Sequence, residues 1–83
     1  MSLSEAKVFV GGLHPSVTEA ELLQACTLYG PVVDARIMQD KELQRSKGFG
    51  FVIFSTKVDA RKAASTGFIE INGKKVREFK IDV

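Results

Sequence analysis

Apolar residues in this chain fall into short alternating runs closed by turn-formers, and between them lie two stretches with the wider spacing of helices. Lys7-Val8-Phe9-Val10 is β-branched and aromatic and is stopped by Gly11-Gly12, the pattern of a strand. Thr18-Glu19-Ala20-Glu21 carries a hydroxyl and a carboxylate three residues apart, a capping box in which each satisfies the other's orphan backbone donor. It predicts a helix to about Tyr29, with Leu22, Ala25 and Cys26 inward and Gly30-Pro31 as the stop. Val32 to Met38 predicts a second strand, followed by a polar loop from Gln39 to Ser46. Gly48 to Phe54 is the third and most aromatic strand. Thr56-Lys57-Val58-Asp59 repeats the capping pattern ahead of a helix that turns Ala60, Ala63 and Ala64 inward and ends at Gly67. Asn72-Gly73 marks the tip of a short hairpin, and Phe79, Ile81 and Val83 alternate with Lys80 and Asp82 as the last strand.

The order β-α-β-β-α-β predicts an α+β, ferredoxin-like sandwich: a four-stranded antiparallel sheet with both helices on one face. The expected domain spans residues 5–83, with no internal repeat, linker or low-complexity segment. Alternation along the third strand puts Gly50, Val52 and Phe54 on one side and Lys47, Phe49, Phe51 and Ile53 on the other. Both sides are apolar, yet helices can cover only one. An aromatic patch left open on a small protein marks a binding surface.

Composition narrows the chemistry. Eighty-three residues make one small domain, and 45% hydrophobic content with 27% charge argues against disorder. The lone Cys26 excludes an internal disulfide and fits a reducing compartment. No apolar run reaches the length of a membrane span, so no membrane contact is expected. A net charge of +2 says little, but of the 12 basic residues only Lys7 precedes Arg36. His14 stands before Pro15 with no Cys, Asp or Glu cluster at ligand spacing, so it reads as a turn residue and neither metal nor cofactor is expected. Gly48-x-Gly50 lies inside a strand and leads into no helix, which removes the helix N-terminus a phosphate loop needs. No plausible nucleophile–base pair is evident, and no catalytic role is assigned.

Lys47-Gly48-Phe49-Gly50-Phe51-Val52-Ile53-Phe54 matches the octamer of the RNA recognition motif at every specified position. A chance match in a chain of this length is on the order of one in a million. Val8-Phe9-Val10-Gly11-Gly12-Leu13 resembles the partner hexamer, and the resemblance runs from about Lys7 to Val83. Its Gly-Gly-Leu variant looks like the nuclear ribonucleoprotein, Musashi and germ-cell translational-regulator branches of that family. The resemblance implies that Phe9 and Phe51 each take a base, that Phe49 packs against sugars and that Lys47 meets phosphate. It further implies single-stranded RNA as partner, in RNA processing, transport or translational control, for a monomer in the nucleus or cytoplasm. Stacking physics agrees: an exposed ring offers a platform worth roughly 1–3 kcal/mol per base, and duplex bases are already stacked on each other. Stacking does not read the sugar, so single-stranded DNA is a second ligand class.

Two departures from the family bear on this. Cys26 stands where the first helix commonly has Phe, which implies a rearranged core. The chain ends at Val83, where many members continue with an Ala and a tail, so one domain of a longer protein is expected.

Alternation extends the site. Lys7 shares the face of Phe9, and Arg36 and Met38 share the open side with Asp34 if Ala35 and Ile37 face the helices. Lys80 and Asp82 point outward if Phe79 and Ile81 point inward, whereas a one-residue slip exchanges them. Lys41 and Arg45 stand open between phosphate contact and free solvent. Two rival functions remain. One is a protein-interaction module on the same fold. The other is an acylphosphatase-type enzyme, which needs an anion-cradling loop with an Arg after the first strand; Gly11 to Val17 contains none.

Overall fold

Division of strand side chains between two faces builds the molecule, as a computed structural model describing residues 6–42 and 45–81 (45–47 by backbone alone) makes visible. The elements are β1 (Lys7–Gly11), α1 (Glu19–Thr27), β2 (Val32–Asp40), β3 (Arg45–Phe54), α2 (Lys57–Ser65), β4 (Ile69–Ile71), β5 (Lys74–Val76) and β6 (Glu78–Ile81). β2, β3, β1 and β6 form one antiparallel sheet in that order, and β4 pairs with β5 as a separate hairpin. This is the ferredoxin-like arrangement, with β6 as its fourth strand. At the hairpin tip Asn72 (φ 54°) and Gly73 (φ 80°) both take left-handed backbone, as a tight two-residue turn requires.

One face of the sheet makes the core. Val8 and Val10 of β1, Val52 and Phe54 of β3 and Phe79 of β6 meet Leu22 and Cys26 of α1 and Ala60 and Ala63 of α2 in a single cluster. Burial pushes the Cys26 thiol up to about 12, so it stays protonated and inert, a packing group in place of the family's Phe. α1 opens with a complete capping box: the Glu21 amide donates to Thr18 Oγ1 (3.1 Å) and the Thr18 amide to Glu21 Oε1 (2.9 Å). At α2 the expected box closes on one side only, through the Asp59 amide to Thr56 Oγ1 (3.2 Å). Asp59 is one methylene shorter than the Glu or Gln that reaches back in a full box. α1 ends at Thr27, two residues short of the expected stop, and Tyr29 packs beside Phe79 with ring centroids 6.0 Å apart.

The β2–β3 pair departs further from expectation. Gln39 pairs with Ser46 and Asp40 with Arg45, so both strands run into what the sequence reads as a loop. Polar residues on a protruding hairpin lose the apolar alternation while their backbones keep the ladder. Between the pairs Ile37–Gly50 and Gln39–Ser46, β3 advances four residues while β2 advances two, which is a bulge. Gly48 lies in it at φ 83°, so alternation from Phe49 back to Lys47 is interrupted. Gly50 is required for a different reason: a Cβ there would overlap the carbonyl oxygen of Arg36 on β2. The outer edge of β2 is closed in part by Glu19, whose carboxylate accepts the Ile37 amide at 2.9 Å.

Candidate nucleic-acid interface

The sheet register lines up four side chains across the open face. Arg36 of β2 lies opposite Phe51 of β3, Phe51 opposite Phe9 of β1, and Phe9 opposite Lys80 of β6. A cation therefore stands at each end of a pair of rings. Both rings are half-buried, while Arg36 and Lys80 are exposed. Phe49 completes the aromatic group, its centroid 5.9 Å from Phe9 and 6.3 Å from Phe51, and Phe9 and Phe51 are 5.9 Å apart. Phe49 and Phe51 meet nearly edge-to-face at 86°, and Phe9 and Phe51 at 65°. Contacts of this kind contribute about 0.5–1.5 kcal/mol each beyond burial, so the rings hold one another in place before any ligand arrives.

Charge is arranged around these rings. Lys7 Nζ sits 4.0 Å above the centroid of Phe51, an exposed cation–π contact worth roughly 0.5–1 kcal/mol. Arg36 Nε donates to Asp34 Oδ2 at 3.0 Å. That hydrogen bond holds the Asp34 carboxyl below the usual carboxylate range and raises the Arg36 guanidinium. The pairing matters because it neutralises a carboxylate on the open face while the Arg36 side chain stays 67% exposed. Met38, half-buried, follows Arg36 by two residues on the same strand.

Most residues singled out from the sequence thus converge. Phe9, Phe49, Phe51, Lys7, Arg36 and Lys80 share one face, with Met38 beside them. The register of the last strand is settled by Phe79, which is 2% exposed, and by Ile81, which pairs with the buried Val8, so Lys80 points outward. The side chains of Arg45 and Lys47, and all of Asp82, lie outside the described residues, and Lys41 is exposed beyond the end of β2.

Sequence reasoning passed over three features. Lys7 reaches onto the ring of Phe51 rather than merely sharing the face of Phe9. Glu78 lies opposite Gly11 on the open side; the alternation that turns Lys80 outward carries Glu78 with it, two residues earlier. The turn after β1 brings His14 Nδ1 to 2.7 Å from Ser16 Oγ, a His–Ser contact that spacing alone did not suggest. The same Nδ1 accepts the Ser16 amide at 3.1 Å and the His14 carbonyl accepts the Val17 amide at 3.0 Å, which is the bonding of a tight turn. Among the described residues no three His, Cys, Asp or Glu side chains come together as a metal site.

A family model for the RNA recognition motif matches residues 8–77, and the chain belongs to that family. It is 40% identical over 75 residues to the mitochondrial glycine-rich RNA-binding protein 5 of Arabidopsis thaliana, covering 90% of this chain and 26% of that one. It is 47% identical over 70 residues to the RNA-binding protein Musashi homolog 1 of Caenorhabditis elegans, covering 84% of this chain and 22% of the relative. Among solved structures, the RNA binding domain of Hrp1 in complex with RNA superposes with a TM-score of 0.81 at 34% identity, over 96% of this chain and 47% of that one. The chain spans about a quarter of the length of these curated relatives.

Proposed function

We propose that this chain binds single-stranded RNA by stacking bases on Phe9 and Phe51, with Phe49 packing against the intervening sugars. The observation that carries this is the unbroken row Arg36–Phe51–Phe9–Lys80 on an uncovered sheet face. Two ring platforms, each worth roughly 1–3 kcal/mol, suit splayed bases and not a stacked duplex. The cations at either end, with Lys7 beside Phe51, suit the backbone that must run past both rings. Arg36 and Met38 extend the face toward a base edge, Lys47 takes a phosphate, and Lys80 and Asp82 contribute from the last strand. The chain acts as a monomeric binding domain of a longer protein, not as an enzyme, and needs no cofactor or metal. It works in RNA processing, transport or translational control in the nucleus or cytoplasm. Single-stranded DNA is the alternative ligand, through the same stacking.

Titration of a labelled random-sequence RNA pool, alongside a DNA pool and a duplex, tests this. Wild type should bind RNA best, and the double variant Phe49→Ala/Phe51→Ala should lose most of that affinity while keeping a native circular dichroism spectrum. Undiminished RNA binding by the double variant would remove these rings from the RNA site, and failure of wild type to bind the RNA pool would favour a protein-interaction role.

A further inference from the structure

Glu78 is out of place on a surface that attracts phosphate. It lies opposite Gly11, next to the Phe9 ring: a methyl group built on Gly11 would overlap the Glu78 carboxylate and lie 3.0 Å from Phe9 Cε1. The absence of a side chain at Gly11 is therefore what lets the carboxylate lie over β1 at the edge of the platform. Asp34, a carboxylate on the same face, is tied to Arg36, whereas Glu78 makes no hydrogen bond or ion pair among the described residues. Lys80, two residues on and directly opposite Phe9, does not pair with it. A base lying on Phe9 would meet, along the β6 edge of the platform, an unengaged acceptor group and an unengaged donor two residues apart.

We propose that Glu78 selects guanine at the Phe9 platform, an inference that rests on the stacking reading above. A carboxylate only accepts hydrogen bonds, and its two oxygens match two parallel donors. Guanine presents that pair on its Watson–Crick edge, N1–H and N2–H, with O6 beside them as an acceptor for the Lys80 ammonium. Adenine and cytosine offer one exocyclic amino group next to a ring acceptor, so one carboxylate oxygen would face a lone pair. Uracil is worse still: its single N3–H is flanked by two carbonyl oxygens, both repelled by the carboxylate. The same charge repels phosphate, so Glu78 gives up affinity in general and recovers it only when the matching base is present.

The probes are four nine-residue oligoribonucleotides, uridine throughout except for G, A, C or U at the centre, titrated by fluorescence anisotropy. Wild type should bind the G-containing oligomer about tenfold more tightly than the all-uridine one, the size expected of a bidentate base contact. Glu78→Gln keeps the side chain's size but replaces one acceptor with a donor. It should shrink the G preference below about threefold and tighten binding of all-uridine RNA. An equal preference for G in both proteins, or no preference for G in wild type, overturns the assignment. So does a uniform change across all four oligomers, which would mark Glu78 as a charge and not a reader. Binding of none of the four by wild type would instead bring down the stacking reading itself, and this inference with it.

Discussion

Truncating Phe51 probes the platform most directly, because the open side of its half-buried ring is already occupied. In the free protein Lys7 Nζ stands 4.0 Å above the ring centroid, where a stacked base would have to lie. An exposed cation–π contact is worth about 0.5–1 kcal/mol, and base stacking roughly 1–3 kcal/mol, so the base displaces the ammonium and the net gain is reduced by the cap. With the cap subtracted, Phe51→Ala should weaken binding of a nine-residue oligoribonucleotide by about 1–2 kcal/mol, or some 5- to 30-fold. In a Lys7→Ala background the ring starts uncapped, so Phe51→Ala should cost about 0.5–1 kcal/mol more than in wild type. Loss of the ring also removes its contacts with Phe9 and Phe49, at 5.9 and 6.3 Å. Two such contacts amount to about 1–3 kcal/mol of fold stability, or several degrees per kcal/mol in Tm. The assay therefore combines anisotropy titrations of the four proteins with thermal melts that show each to be folded at the titration temperature. Affinity unchanged within a factor of two for a folded Phe51→Ala would refute stacking on this ring. An equal Phe51 effect in both backgrounds would refute the competition with Lys7.

Other expectations are more local. Lys47→Ala should weaken binding about equally for unrelated RNA sequences and lower the slope of log affinity against log salt by about 0.7, as for one phosphate contact; an unaltered slope excludes that role. Gly50→Ala should lower stability by about 1–3 kcal/mol in a urea melt, because the added methyl meets the rigid backbone carbonyl of Arg36; a variant as stable as wild type contradicts this close approach. The Glu21 carboxyl is held below the usual carboxylate range first by the Thr18 amide and then by Asn72 Nδ2. Its folded value lies below the unfolded one, so its stabilisation is present above the unfolded value, about 4.3, and is lost as pH falls through the folded value. Thermal melts between pH 6 and pH 3 should show wild type above Glu21→Gln near neutrality and the gap closing in acid; parallel curves would remove Glu21 from the pH response.

The sequence by itself determined the core face, the order of the elements and the three aromatic positions, since all of these follow from local periodicity. Val8 and Val10 alternate with Lys7 and Phe9, Phe79 alternates with Lys80, and a strand has no other way to divide them. The hairpin at Asn72-Gly73 was equally legible, because few residue pairs tolerate two left-handed positions in succession. Only the tertiary structure decided which outward residues stand side by side. The row Arg36–Phe51–Phe9–Lys80 depends on three strand registers, and each register is set by contacts between segments distant in the chain. For the same reason periodicity could not show the bulge that frees the start of β3 from simple alternation, nor that Gly50 serves the approach of β2. It also could not reveal that Asp34 is paired with Arg36 while Glu78 is not. Periodicity assigns a residue to a face, but the neighbours that give a charged group its role are brought there by strands that meet only in the folded sheet.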